Sequence, residues 1–278
     1  MSNLPAFKQD LIASVVQREL EFSAKLLPLI TNVSQFAVPG SRSISFPKLS
    51  SFVVNDRAFG AADTPQTLAD TVDQILMDKN KICSYILDRK DSAQTTINEE
   101  VEYARRAASA HGRDMDEEIR AVFEAAGRTD WGAATGDITR DIILDMQRAA
   151  FDSEANEDEL SLVVSNDQYQ ALLKIAEFTE HQIYGPNQAI SAGQIGTVYG
   201  MPVVRRSNMP LQTYYMVGKE GCALGIQVAP QMDSDKAIEF GAGSTRHVMD
   251  ILYGVDSLQR GLKNAGPTES ALLFKDNN

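Results

Sequence analysis

The chain has 278 residues, 43% of them hydrophobic and 23% charged, ordinary values for a soluble globular protein with enough length for one or two domains. A formal net charge of −12 argues against a general nucleic-acid-binding surface. The two cysteines, Cys83 and Cys222, are far apart in apolar contexts, which excludes a disulfide framework or a metal knuckle and fits a reducing compartment.

No apolar run approaches the roughly 20 residues needed to span a bilayer, so no membrane association is expected. Asp10, Glu19 and Glu21 interrupt the N-terminal stretch, which is not expected to be a signal peptide. Residues Phe7 to Leu29 carry Leu11, Ile12, Val15, Val16, Leu20, Leu26 and Leu27 at helical spacing and close at Pro28. This amphipathic helix is either an arm ahead of the main body or the first core helix.

From Gly40 the period changes to two. Ile44, Phe46 and Lys48 alternate with Ser43, Ser45 and Pro47, and the proline points to an edge strand. A Gly, Ala, Asp and Pro stretch, DRAFGAADTPQTLAD, reads as a flexible turn. Thr71 to Met77 then alternates again, and Lys81 to Leu87 is a further β-rich run. The expectation is a long β-ribbon around a polar tip, from Arg42 to Arg89. A ribbon buries little of its own and needs another surface. The tip, with Phe59, Gly60, Asp63, Thr64 and Pro65, is the expected contact with a neighbouring subunit.

Thr96 to Ala126 reads as one long helix. Ile97, Val101, Ala104, Ala108, Met115, Ile119, Val122 and Ala126 fall on one stripe, with Ile97, Val101, Ile119 and Val122 expected on its core face. Thr96 and Glu99 have the spacing of a capping box, and Gly127 is expected to end the helix in a left-handed conformation. Its length, about 45 Å at 1.5 Å per residue, exceeds a small domain and implies that it joins regions or lies across a flat, extended molecule. Between Asp91 and Leu160 there are 18 acidic residues against 7 arginines and no lysine, a surplus of 11 negative charges. Such a surface is expected to bind free DNA weakly or not at all.

Asp137 to Ala150 is a second helix, Leu160 to Val164 a buried strand, and Ser165 or Asn166 caps a short helix over DQYQALLKI. Strands are expected at Met201 to Val204, Tyr214 to Val217, Cys222 to Val228, Ala237 to Phe240, Arg246 to Tyr253 and Ala271 to Phe274. No catalytic constellation emerges. His111, His181 and His247 lack metal-ligand spacing, and His111 reads as a packed side chain. Gly193, Gly196 and Gly200 do not have dinucleotide spacing. Asp233 and Asp235 read as a solvated turn, and Asp116, Glu117 and Glu118 as exposed helix positions. No cofactor or metal and no enzymatic activity are expected.

The order of these parts, with Ser43 to Leu49 opening the extended loop, the Leu162-Val163-Val164-Ser165 strand with Tyr169, Leu172 and Leu173, the Gly193 to Pro210 run, and Arg246 to Gly254, resembles the tailed-phage major capsid proteins. The resemblance implies an α+β fold of the Hong Kong 97 type. Its parts would be an N-terminal arm (1–40), an extended β-hairpin loop (41–90), a peripheral domain with a spine helix (91–136 and 236–278) and an axial domain (137–235). It implies a structural protein that forms hexamers and pentamers of an icosahedral phage head and encloses double-stranded DNA without sequence-specific binding. It further implies a portal, a separate scaffolding protein and decoration proteins as partners, assembly in the host cytoplasm and residence in the virion. The extended loop starts only about 40 residues in, so no internal scaffolding region is expected. The alternatives are an encapsulin-type compartment shell protein, or a soluble α+β ligand-binding protein or enzyme.

Overall fold

The computed structural model describes residues 15–16, 18–20, 24–48, 54, 56, 59, 65, 67, 71–88, 99–129, 136–153, 159–175, 196–240, 243–258 and 272–276. Along the chain run β1 (Thr31–Asn32), β2 (Ser43–Lys48), β3 (Thr71–Leu76), β4 (Lys79–Asp88), α1 (Glu99–Ala126), α2 (Arg140–Asp152), β5 (Leu160–Val164) and α3 (Asn166–Lys174). There follow β6 (Thr197–Val198), β7 (Met201–Arg205), β8 (Tyr214–Gly218), β9 (Cys222–Lys236), β10 (Ser244–Ser257) and β11 (Leu273–Lys275). The strands make a four-stranded sheet in the order β1-β9-β10-β4, a five-stranded sheet in the order β11-β8-β5-β7-β6, and the ribbon β2-β3.

Helix α1 is organised by its apolar stripe. Ala104, Ala107, Ala108, Met115, Ile119, Phe123 and Ala126 are buried, and three acidic residues in the first turn suit the positive end of the helix dipole. Over 28 residues the helix is roughly 42 Å long. Its first half packs Ala104, Ala107 and Ala108 on Val16 and on Met249 of β10. Its second half wedges Met115, Ile119 and Phe123 between Val163, Tyr215 and Val217 of one sheet and Leu224, Ile251 and Tyr253 of the other. One helix therefore joins the two sheets: β10 runs along both halves of the stripe, and the five-stranded sheet meets its second half. Val101 and Val122 are half-buried, while Ile97 and Thr96 lie outside the described residues.

The helix does not end as expected. Gly127 is absent from the positive-φ glycines among the described residues, which are Gly40, Gly136, Gly200 and Gly243. Its lack of a side chain serves proximity instead. A Cβ there would sit 2.5 Å from the Phe123 carbonyl oxygen of the last helical turn and 3.0 Å from the Lys275 side chain. The chain must pass this close because Arg128 bridges β11, its N–H donating to Leu273 (2.8 Å) and its carbonyl accepting from Lys275 (3.1 Å).

The five-stranded sheet is covered on both faces. Leu160, Leu162 and Val164 of β5 face α2 and α3 with Ile143, Met146 and Leu172, while Val163 faces α1. Alternate side chains of a strand point to opposite faces, so a strand covered on both sides carries apolar residues toward both, and all of β5 is buried, with Ser161 its one polar side chain. The Thr139 hydroxyl accepts from the Ile142 N–H (3.4 Å) and starts α2. Tyr199 (φ 47°) and Gly200 (φ 83°) form the two-residue turn between β6 and β7, and two positive φ values are what a type I′ turn demands. The Tyr199 carbonyl accepts from Gln147 of α2 (3.3 Å).

Several expectations are corrected. Lys79–Asp88 is not part of the ribbon, because β4 pairs along its whole length with β10. Strand β9 runs fifteen residues to Lys236, so Asp233 and Asp235 stand on a strand rather than in a turn. Ile238–Phe240 is a 3-10 turn and not a strand. Sheet membership changes at Lys219–Gly221, between β8 and β9, rather than at residue 236, and β11 returns to the five-stranded sheet. Asp116 is buried (2% exposed).

His111 is buried on the α1 stripe at 5% exposure. Desolvation lowers its pKa below the usual histidine value, opposed by a hydrogen bond to the Met249 backbone and by the charges of Asp114 and Asp250. A histidine whose folded pKa is depressed binds its proton more readily when unfolded. Stability is then lost as pH falls through the ordinary value near 6.5 toward the depressed one. His111→Gln is expected to keep the bond to Met249 and to flatten the fall in thermal midpoint between pH 7.5 and 5. Identical pH profiles for the two proteins would show that His111 takes up its proton without cost.

Candidate assembly surface

The β2–β3 ribbon is antiparallel, with Ser43 opposite Leu76 and Lys48 opposite Thr71. Its root belongs to the core. Ile44 and Ile75 are buried in one cluster with Val33, Ala223 and Leu258, and the Phe36 and Phe46 rings meet edge to face at 6.3 Å. The Met77 N–H donates to the Arg42 carbonyl (2.9 Å) and closes the base. The Gln227 amide donates to the carbonyls of Val38 and Ser41, both at 2.8 Å, holding the segment that leads into β2.

The far side of the ribbon is different. Val72 and Leu76 are more than half exposed, Val54 is 95% exposed and Phe59 is completely exposed. Pro65 is also exposed, and Gly60, Asp63 and Thr64 lie outside the described residues. Of the described tip residues, the structure thus leaves Phe59 and Pro65 uncovered, and it places Ile119 of α1 at 0% exposure. An aromatic ring fully in water has surrendered the burial that stabilises such side chains by about 1.5 to 3 kcal/mol.

A second apolar area lies on β4, where Ile82 (65%) and Ile86 (41%) point away from α1. Alternation along this edge strand sends Lys81, Cys83 and Tyr85 toward the helix and Ile82, Ser84 and Ile86 outward. The inward lysines tie β4 to α1. Lys81 reaches Glu118 (2.9 Å) and Asp114 (3.3 Å), and Lys79 reaches Glu118 (3.1 Å). Lys81 and Lys79 hold the Glu118 carboxyl below the usual glutamate range against a smaller opposing effect of burial.

A polar cavity of about 210 Å³ lies between the N-terminal segment, α1 and the loop after β7, lined by Lys25, Ser109, Arg113, Asp116, Arg206 and Asn208. At its floor Asp116 and Arg206 form a buried ion pair (3.5 Å), with side chains 3% and 4% exposed. The Asp116 carboxylate also accepts from the N–H groups of Lys25 (3.2 Å) and Leu26 (3.0 Å), and Arg206 donates to the Asp116 carbonyl (3.0 Å). Burial pushes the Asp116 carboxyl up and the Arg206 guanidinium down, against their mutual attraction. Both carboxylate oxygens of Asp116 thus accept from the chain at Lys25 and Leu26 while one also faces Arg206, an arrangement that joins three parts of the chain. Sequence reasoning missed this pair, since its members lie 90 residues apart and no local pattern links them.

Cys83 and Cys222 are free thiols, and burial pushes the Cys222 thiol well up. Among the described residues no three His, Cys, Asp or Glu side chains are placed to hold a metal ion. No described helix is long and apolar enough to cross a membrane.

The fold is similar to those of several solved particles. A structure from Mycobacterium phage Che8 matches with a TM-score of 0.74 at 18% identity, over 90% of this chain and 89% of that one. The capsid structure of cyanophage P-SCSP1u matches with a TM-score of 0.67 at 13% identity, over 89% and 85%. A virus-like particle from Pyrococcus furiosus matches with a TM-score of 0.61 at 10% identity, over 97% and 99%. At these identities the likeness shows the fold alone, shared by phage heads and a virus-like particle. No curated protein matches significantly in sequence. The family model described as "Phage capsid protein" matches residues 32–222, more than half of the chain. The Hong Kong 97-type α+β fold and this match together place the chain in the phage capsid protein family, as a structural, non-enzymatic major capsid protein of a bacteriophage virion.

Proposed function

We propose that the subunit joins its neighbours through the β2–β3 ribbon, whose tip lies on the next subunit in hexamers and pentamers of an icosahedral head. The observation that carries this reading is Phe59, fully exposed beyond a ribbon whose root is buried. A neighbouring copy supplies the missing surface, and small contacts repeated around a closed shell add up. In this reading residues 1–40 are an arm and 41–78 the extended loop. Helix α1 is the spine of a peripheral domain built on the four-stranded sheet, and the five-stranded sheet with α2 and α3 is the axial domain. Sheet membership supports that division, with the changeover at 219–221. The surplus of acid between Asp91 and Leu160 suits a wall that encloses double-stranded DNA without gripping it. A portal, a separate scaffolding protein and decoration proteins complete the head, which assembles in the host cytoplasm.

Deleting residues 57–66 and closing the gap with a short Gly-Ser link is expected to leave a folded, soluble subunit that forms no shells. Circular dichroism reads the first half and sedimentation the second. Loss of the fold would place the tip in the subunit core. Normal shells would show that the tip does not hold neighbours together.

A further inference from the structure

We propose that Gly254 is a seat whose bare backbone fixes the angle at which the β2–β3 hairpin leaves the four-stranded sheet. Gly254 of β10 and Gly225 of β9 are register partners, so the two strands present a slot with no side chains. The hairpin root fills it. A Cβ on Gly254 would collide with the Leu76 carbonyl oxygen, lie 2.9 Å from the Leu76 carbonyl carbon and 3.2 Å from Ile75 Cγ2. A Cβ on Gly225 would lie 2.9 Å from Ile44 Cδ1 and 2.9 Å from Met77 Cε.

The two halves of the slot differ in kind. Gly225 faces the far ends of flexible side chains, which can turn aside. Gly254 faces backbone, which can move only if the whole hairpin moves. Neither glycine is among the described residues with positive φ, so alanine would fit either backbone and the contacts alone matter. The ribbon's own pairing cannot set this angle, since two strands with one free face are weakly held. The paired segment from Leu76 to Thr71 is about 17 Å long at roughly 3.4 Å per residue, so a tilt at the root is magnified at its far end.

The seat follows from the slot itself. Its consequence for shell formation rests on the proposed role of the hairpin tip. The test is hydrogen exchange of the full-length subunit, read at Met77 and along the β2–β3 ladder, with the β5–β8 ladder as internal reference. Gly254→Ala is expected to speed exchange at the root and ladder by more than about tenfold, leave β5–β8 unchanged and block shells in sedimentation. Gly225→Ala is expected to stay within about twofold of the natural protein and to form shells. Unchanged exchange in Gly254→Ala overturns the seat whatever the shells do. Faster exchange with normal shells keeps the seat and overturns the role of the hairpin in assembly. Should Gly254→Ala not fold, Ile75→Ala loosens the hairpin's contact with the Gly254 half of the slot without touching β9 or β10. It is expected to speed the same amides, and unchanged exchange there overturns the proposal equally.

Discussion

Ile119→Asp is expected to abolish soluble, folded protein. Ile119 is 0% exposed at the point where α1 is wedged between Val163 and Tyr215 on one side and Ile251 and Tyr253 on the other. Aspartate there removes a buried side chain and places a charge where water cannot reach it. The lost packing alone costs about 2 to 5 kcal/mol, as for an isoleucine-to-alanine change, and an unpaired buried charge adds several more. Against a total stability of about 5 to 15 kcal/mol, the fold does not survive. Val101→Asp is the comparison. Val101 is half-buried near the open end of the same stripe, so its carboxylate can turn to water and the cost falls to roughly 1 to 2 kcal/mol. Soluble yield and urea unfolding of the two variants, with Ile119→Ala as a milder step, measure the gradient. Equal stability of Ile119→Asp and Val101→Asp would mean that α1 is not held between the sheets.

Asp116→Ala is expected to cost about 3 to 5 kcal/mol, the range for breaking a buried ion pair by removing one partner. The substitution strands the Arg206 guanidinium at 4% exposure and leaves Glu117, 3.7 Å away, as its remaining acidic neighbour. It also leaves the N–H groups of Lys25 and Leu26 without their carboxylate acceptor. Desolvation opposes the charged forms of both partners, so removing both charges is less harmful than removing one. Asp116→Ala combined with Arg206→Met is therefore expected to recover part of the loss, though not the part owed to the two backbone donors. Urea unfolding of the single and double variants gives the coupling directly. An Asp116→Ala variant within about 0.5 kcal/mol of the natural protein would show that Asp116 is solvated, as its place in an Asp-Glu-Glu run had implied.

That run shows why some of the molecule could be read and some could not. Helix α1 announced itself through a stripe repeated over seven turns, a signal carried by residues three and four apart. The stripe tells which side of a helix is apolar, yet one polar residue beside it reads as surface. Asp116 is buried only because Arg206 and the chain at Lys25 and Leu26 arrive there from elsewhere in the fold. Phe123 lies off the narrow stripe for a related reason, since the buried face widens where two sheets meet the helix, and Ala107 is covered because the N-terminal segment at Val16 packs there beside Met249. Gly127 was recognised as a helix end for the wrong reason. A left-handed cap is a local device, whereas the space a side chain would need there is taken both by the Phe123 carbonyl and by Lys275, nearly 150 residues away.

The sequence by itself determined the apolar stripe of α1, the alternation of β2 and β3, the almost wholly apolar β5 and the turn at Gly200. Each of these is set by neighbours within a few residues, through helical or strand periodicity and backbone conformation. The order of parts was enough to resemble the phage capsid family. Only the tertiary structure decided that β4 leaves the ribbon for β10 and that β8 and β9 divide between two sheets. It alone set Asp116 opposite Arg206 and made Gly225 and Gly254 face each other beneath the hairpin. Alternation tells a strand which face to bury but not which strand to pair with. Pairing and close approach are settled by long-range packing, which leaves no periodic trace along the chain.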